Sequence, residues 1–126
     1  MRYYIMKIEY CVLGTNNMAA AIKFYDSLFE HTELKQTFAT ERMTYWQCGD
    51  LAFAIAIPFN EEPATNGNGT MIGLNVGSSD TVRKLHQKVI ELGGSCEGEP
   101  NQRGPYFSAY ARDLDKNKLC FFDPNT

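Results

Sequence analysis

The chain is poor in histidine and has no paired cysteines. Its 126 residues include two histidines, His31 and His86, and four cysteines, Cys11, Cys48, Cys96 and Cys120, with no C-x-x-C pair. Such spacing fits neither a zinc knuckle nor a redox dithiol. Cysteines within apolar, strand-like stretches read as reduced, buried thiols that behave as small hydrophobes. No apolar run approaches the roughly 18 residues that cross a bilayer. The N-terminus also lacks the charged, apolar and small-residue succession of a secretory signal. The expectation is a cytoplasmic protein without a membrane partner. An excess of one charge sign is missing too: 12 basic residues face 15 acidic ones, for a net charge of -3. With the basic residues scattered and a pI near 5.3, a nucleic-acid partner is not expected, because phosphate neutralisation needs a concentrated basic face.

What is present is an ordinary globular composition, 44% hydrophobic and 21% charged. A chain of this size forms one domain, or two small modules around a shared core. Ile5 to Leu13 is rich in β-branched and aromatic residues and reads as a strand ending at Gly14. Asn16 or Asn17 then caps a helix whose apolar stripe is Met18, Ala21, Ile22, Tyr25, Leu28 and Phe29. Strands resume from Phe38 to Ile57, broken by Cys48-Gly49-Asp50-Leu51, a sequence suited to a type II′ hairpin turn. In the second arm the bulky Leu51, Phe53, Ile55 and Ile57 alternate with Ala52, Ala54 and Ala56. The small face is expected to receive a helix, and the bulky face to line a cavity or core.

Residues 58–69, with two prolines, three asparagines and two glycines, have linker chemistry. After them the order repeats. Thr70 to Val76 is a strand, and Ser78 or Ser79 caps a helix carrying Val82, Leu85, Val89 and Leu92, which ends at Gly93-Gly94. A short strand is expected at Ser95 to Glu97, followed by a loop through Pro100 and Gly104. Tyr106 to Arg112 and Lys118 to Asp123 close a hairpin around Asp113 to Asn117. Both halves therefore read βαβββ, over about 5–57 and 70–123, with Tyr10 and Met71 at equivalent places 61 residues apart.

The segments Leu13-Gly14-Thr15-Asn16-Asn17-Met18 into Ala21-Ile22-Lys23-Phe24-Tyr25-Asp26, and Tyr110-Ala111-Arg112-Asp113-Leu114-Asp115-Lys116-Asn117-Lys118-Leu119, resemble the vicinal oxygen chelate superfamily. That superfamily includes glyoxalase I, extradiol dioxygenases, and fosfomycin and bleomycin resistance proteins. Asn66-Gly67-Asn68-Gly69-Thr70 is similar to the inter-module junction of a bacterial glyoxalase-like subgroup. The resemblance covers nearly the whole chain. It implies an α+β fold in which paired βαβββ modules curl a mixed sheet into a cup, within one domain, and often a homodimer. It also implies a divalent ion held by histidines from first strands and glutamates from last strands. The matching positions here are Tyr10, Met71, Cys120 and, by a looser match, Phe53. A thioether and a phenyl ring cannot ligate a hard ion, and Tyr10 with Cys120 makes only two ligands. No metal and no cofactor is therefore expected.

The candidate small-molecule contacts are Tyr10, Phe53, Met71, Asn75, Tyr110 and Cys120, with Trp46, Tyr45 and Tyr106 as further aromatic walls. No catalytic residue is assigned. His31 and His86 lie off the predicted cavity strands, and Arg112 is expected to pair with Asp113 or Asp115. Three readings stay open. They are a metal-free protein binding a small organic molecule in an apolar cup, a metal-dependent glyoxalase-like lyase or dioxygenase with a rearranged site, and a ligand-free structural or regulatory homodimer.

Overall fold

A computed structural model describes residues 2–125. The first half contains β1 (Tyr10–Gly14), α1 (Met18–Leu28), β2 (Lys35–Ala39), β3 (Met43–Cys48) and β4 (Leu51–Ala56). The second contains β5 (Ile72–Asn75), α2 (Ser79–Glu91), β6 (Ser95–Arg103), β7 (Tyr106–Arg112) and β8 (Lys118–Asp123). Two four-stranded mixed sheets result, ordered β1-β4-β3-β2 and β5-β8-β7-β6. In each, the first strand runs parallel to the last and the other neighbours are antiparallel. Among the described residues no helix is long and apolar enough to cross a membrane.

Local chemistry sets the helix ends. The Asn17 side chain accepts from the Ala20 amide at 3.0 Å, and Ser78 accepts from Thr81 at 3.1 Å. Gly93 follows the last turn of α2 with φ of 99°, the left-handed conformation that a glycine adopts at C′ without strain. Gly49 has φ of 59°, as the first central position of a type II′ turn requires.

Three elements differ from the sequence reading. The first strand starts at Tyr10, not Ile5, because residues 2–9 have no neighbouring strand; only the Glu9 carbonyl joins, accepting from Ala52. β2 begins at Lys35 and is exposed throughout, so its sequence carries no alternation to reveal it. β6 runs nine residues, to Arg103, and incorporates the expected loop through two register shifts. Pro100 falls within the second shift, where a missing ladder donor is tolerated.

The large apolar residues of both sheets face the helices and form one core. Tyr25, Phe29, Trp46 and Phe53 make a ring cluster under α1, and Val82 and Val89 of α2 pack with Phe107, Ala109, Ala111 and Leu119. The halves are joined at Asp113, which is 4% exposed. Its carboxylate accepts from the Tyr25 hydroxyl, from the Asp115 and Asn117 amides at 2.9 Å, and from Asn117 Nδ2 at 3.0 Å. Asn117 Nδ2 also donates to the Gly14 carbonyl at 2.9 Å, and Asp115 accepts from the Asn16 amide at 3.0 Å. Arg112 turns away from these acids. It pairs with Glu97 at 3.1 Å and donates to the Lys116 carbonyl at 2.9 Å, correcting the expected pairing.

Tyr25→Phe is expected to lower stability in urea denaturation by about 1.5–3 kcal/mol, the range for a buried hydrogen bond to a charged group. Burial raises the Asp113 carboxyl above its ordinary 3.8, its hydrogen bonds pulling the other way. The folded state thus holds that proton more tightly than the unfolded chain. The associated stability is complete below about pH 3.8 and is lost as pH rises through the raised value. The margin of the protein over Asp113→Ala should therefore be larger near about pH 3.5 than near about pH 7; the opposite order would exclude this linkage.

Candidate functional site

Each sheet is covered by its helix on one face, and each open face carries a hollow. The first, about 280 Å³, is lined by Glu9, Tyr10, Phe38, Tyr45, Gln47, Asp50 and Ala52. The register explains its shape: Ala52 lies between Tyr10 on β1 and Gln47 on β3, and Ala54 lies beside Tyr45. The alanine face of β4 is thus the floor, with the Tyr10 and Tyr45 rings 6.5 Å apart above it. Its only charged lining groups are the acidic Glu9 and Asp50.

The second hollow, about 250 Å³, is lined by Met71, Gly73, Arg103, Tyr106, Ser108, Tyr110, Cys120 and Phe122. It shares no residue with the first. The Arg103 guanidinium and the Lys118 ammonium each lie 5.0 Å from the centre of the Tyr110 ring, which places two cations on one aromatic side chain. Arg103 is held by backbone carbonyls, those of Ser108 and, at 2.8 Å, Glu99. Gly98 makes room for this arrangement. A Cβ there would stand 2.7 Å from Tyr110 Cδ2 and 3.2 Å from Arg103 Nη2. Burial raises the Cys120 thiol pKa, and the Arg103 and Lys118 charges oppose that rise.

Of the expected contacts, Tyr10 lines the first hollow, and Met71, Tyr110 and Cys120 line the second. Phe53 lines neither. It is 3% exposed and stacks against Tyr25 and Phe29 under α1, so the bulky face of β4 meets the helix and the small face meets the hollow. The bulky face is thus core, one of its two expected roles, while the helix meets that face and not the small one expected to receive it. Two large apolar faces must be brought together to bury area, and α1 supplies the partner face. Trp46 is likewise core, 1% exposed, with its Nε1 donating to Asp26 at 2.9 Å. Asn75 stays exposed at the end of β5 and accepts from the Gly77 amide at 3.0 Å, outside both linings. Of the cysteines only Cys120 is buried; Cys11 and Cys48 are half-buried and Cys96 is exposed, correcting the expectation of buried thiols. Arg103 was not legible in sequence: it sits in a Pro- and Gly-flanked stretch without periodicity, and only the irregular path of β6 brings it in.

The sequence matches the Glyoxalase/Bleomycin resistance protein/Dioxygenase superfamily over residues 7–125. The chain belongs to that superfamily. Among solved structures it is similar to a glyoxalase/bleomycin resistance protein from Albidiferax ferrireducens T118, with 30% identity, TM-score 0.86, and coverage of 92% of this chain and 97% of that one. It is also similar to the hypothetical protein SA1046 of S. aureus, with 23% identity, TM-score 0.77, and coverage of 96% and 95%. A lactoylglutathione lyase from Agrobacterium tumefaciens shares the fold at 16% identity, TM-score 0.71, and coverage of 93% and 92%. No curated protein matches the chain.

The divalent ion implied by the resemblance is not fitted by the donors in either hollow. The second offers a thioether, a thiol and hydroxyls beside a fixed guanidinium, which repels a cation. The first has two carboxylates and no imidazole. Among the described residues neither hollow gathers three His, Cys, Asp or Glu donors.

The register of β4 makes a direct prediction. Phe53→Ala should cost about 3–5 kcal/mol in thermal or urea unfolding, as emptying an aromatic core site does. Ala52→Ser, on the hollow face, should cost less than about 1 kcal/mol. A loss below about 1 kcal/mol for Phe53→Ala would show that Phe53 is not core.

Proposed function

We propose that the protein binds a small organic anion with a planar apolar body, and that the hollow on β5–β8 is its site, without a metal in the cup. The observation that carries this reading is Arg103, one fixed guanidinium in a hollow walled mainly by Met71, Tyr106, Tyr110, Cys120 and Phe122, with Gly73 and Ser108 completing the lining. A guanidinium matches the geometry of a carboxylate, and aromatic faces take a planar body. Nothing acidic lines that hollow to compete for the cation. The enzyme reading has no comparable support, since neither lining supplies a nucleophile and base pair or a metal donor set.

A thermal-shift series of aromatic carboxylates against their methyl esters tests this reading. The acids are expected to raise the melting temperature in a concentration-dependent way, as a ligand of the native state must, and the esters should do so much less. Arg103→Gln should weaken the acids by about 10- to 100-fold, the loss of a charge-assisted pair of about 1.5–3 kcal/mol. No shift with any acid, or equal shifts with acids and esters, would reject the anion reading.

We further propose that two copies of the chain associate. Tyr3, Tyr4, Ile5, Met6 and Ile8, interrupted only by Lys7, give the N-terminal arm an apolar character, each 87–98% exposed. Apolar surface of that extent marks an interaction site, and a second copy of the chain is the default occupant. Sedimentation velocity should show a dimer that dissociates in the double variant Ile5→Glu/Ile8→Glu. A monomer at all concentrations, or a dimer indifferent to the substitutions, would overturn the assignment.

A further inference from the structure

A cluster of a different kind lies on the helix-covered face of the second sheet. A ring nitrogen of His86, the Cys96 Sγ and a carboxylate oxygen of Glu99 lie within 4.8 Å of one another. The path of β6 creates it. In a regular strand residues three apart point to opposite faces. Cys96 pairs with Ala111, however, and Gly98 with Tyr110, so Glu97 is an extra residue and the alternation restarts after it. Gly98 then turns to the hollow beneath Tyr110, and Glu99 returns to the face occupied by Cys96. The Cys96 Sγ and the nearest Glu99 oxygen are already 3.4 Å apart.

The second observation is independent of that geometry. His86 comes from α2, is only 5% exposed, and its Nε2 is buried without a hydrogen-bond partner. No other buried side-chain nitrogen or oxygen among the described residues is left in that state. An unpartnered buried polar atom costs about 1–3 kcal/mol, and buried polar atoms are otherwise satisfied almost everywhere in folded proteins. The nitrogen's missing partner is therefore the feature that calls for an explanation.

We propose that His86, Cys96 and Glu99 bind a borderline-soft divalent cation of the zinc type, with water in the fourth position. Nitrogen, sulfur and oxygen donors in this mixture suit zinc and exclude the harder magnesium and calcium, which take oxygen alone. Metal–ligand bonds of about 2.0–2.3 Å in a tetrahedron put donors about 3.3–3.6 Å apart, so the cluster needs only side-chain rotation to close. Cys96 and Glu99 are exposed and can make that movement, while the His86 ring is fixed by packing. Binding replaces the thiol S–H bond by a sulfur–metal bond and releases one proton to solvent, with no change of oxidation state. The ion ties α2 to β6 on the face opposite the hollow, so the site is independent of the anion reading above.

The test is a cobalt(II) titration of the full chain, reduced with a non-thiol reductant. The expected result is a near-ultraviolet sulfur-to-cobalt charge-transfer band that saturates at one equivalent and is bleached by one equivalent of zinc(II). Cys96→Ser, at an exposed position, should abolish the band, and Glu99→Gln should weaken binding by at least about tenfold. Cys120→Ser, which removes the thiol of the hollow, should leave the band intact. Failure of the wild-type chain to develop the band, or a band that survives Cys96→Ser, would overturn the proposal. A band lost in Cys120→Ser would move the metal to the hollow and overturn both this site and the metal-free cup.

Discussion

The structure depends on how one buried carboxylate is satisfied. Asp113 is surrounded by four donors, two of them amides of its own turn, one the Asn117 side chain and one the hydroxyl of Tyr25 from the opposite half. A charge taken out of water is tolerated only when it is so surrounded, because desolvation of an unpaired carboxylate exceeds the whole stability of a small domain. The hydrogen bonds that solvate it also fix geometry. Lys116 is held at φ of 67°, the turn is closed, and Asn117 is left aimed at the Gly14 carbonyl at the end of β1. The linker is drawn into the same joint. Asn16 exchanges hydrogen bonds with Ala64, and Asn66 donates to the Lys116 carbonyl at 2.7 Å. A motif that in isolation looks like a surface turn is the joint between the two halves.

This joint explains why the fold was legible from sequence while the site was less so. The acidic turn, the helix caps at Asn17 and Ser78, and the Gly93 stop are local signals, each tied to a backbone group within a few residues. The placement of Tyr10, Met71, Tyr110 and Cys120 on open faces follows from strand alternation once the order of strands is known. Phe53 and Asn75 needed more. Alternation says that Phe53 and Ala52 face opposite ways, yet it does not say which way the helix lies, and the helix took the bulky face. Asn75 sits where β5 runs out, so its alternation carries no information about a lining. Arg103 is the clearest omission. Its position depends on two register shifts in β6, and a bulge has no signature in a single sequence beyond a glycine or proline that several other structures would also explain.

The two hollows are built alike and charged differently. Both stand on strands β-paired in the same order, and both have two tyrosines among their lining residues. The first carries Glu9 and Asp50, the second Arg103 with Lys118 close to Tyr110. Opposite charge on the two open faces sets different electrostatic environments over the same strand order. It also disfavours one cation as a shared requirement, since the basic hollow repels what the acidic one attracts.

β6 serves both faces of the second sheet, and the physical reason is its extra residue. A strand without the insertion at Glu97 would present Cys96 and Glu99 to opposite sides and would put a side chain where Gly98 now lets Tyr110 and Arg103 approach. One bulge therefore opens space in the hollow and gathers donors under α2. The two consequences meet at Glu99, whose carbonyl accepts from Arg103 while its carboxylate stands beside Cys96.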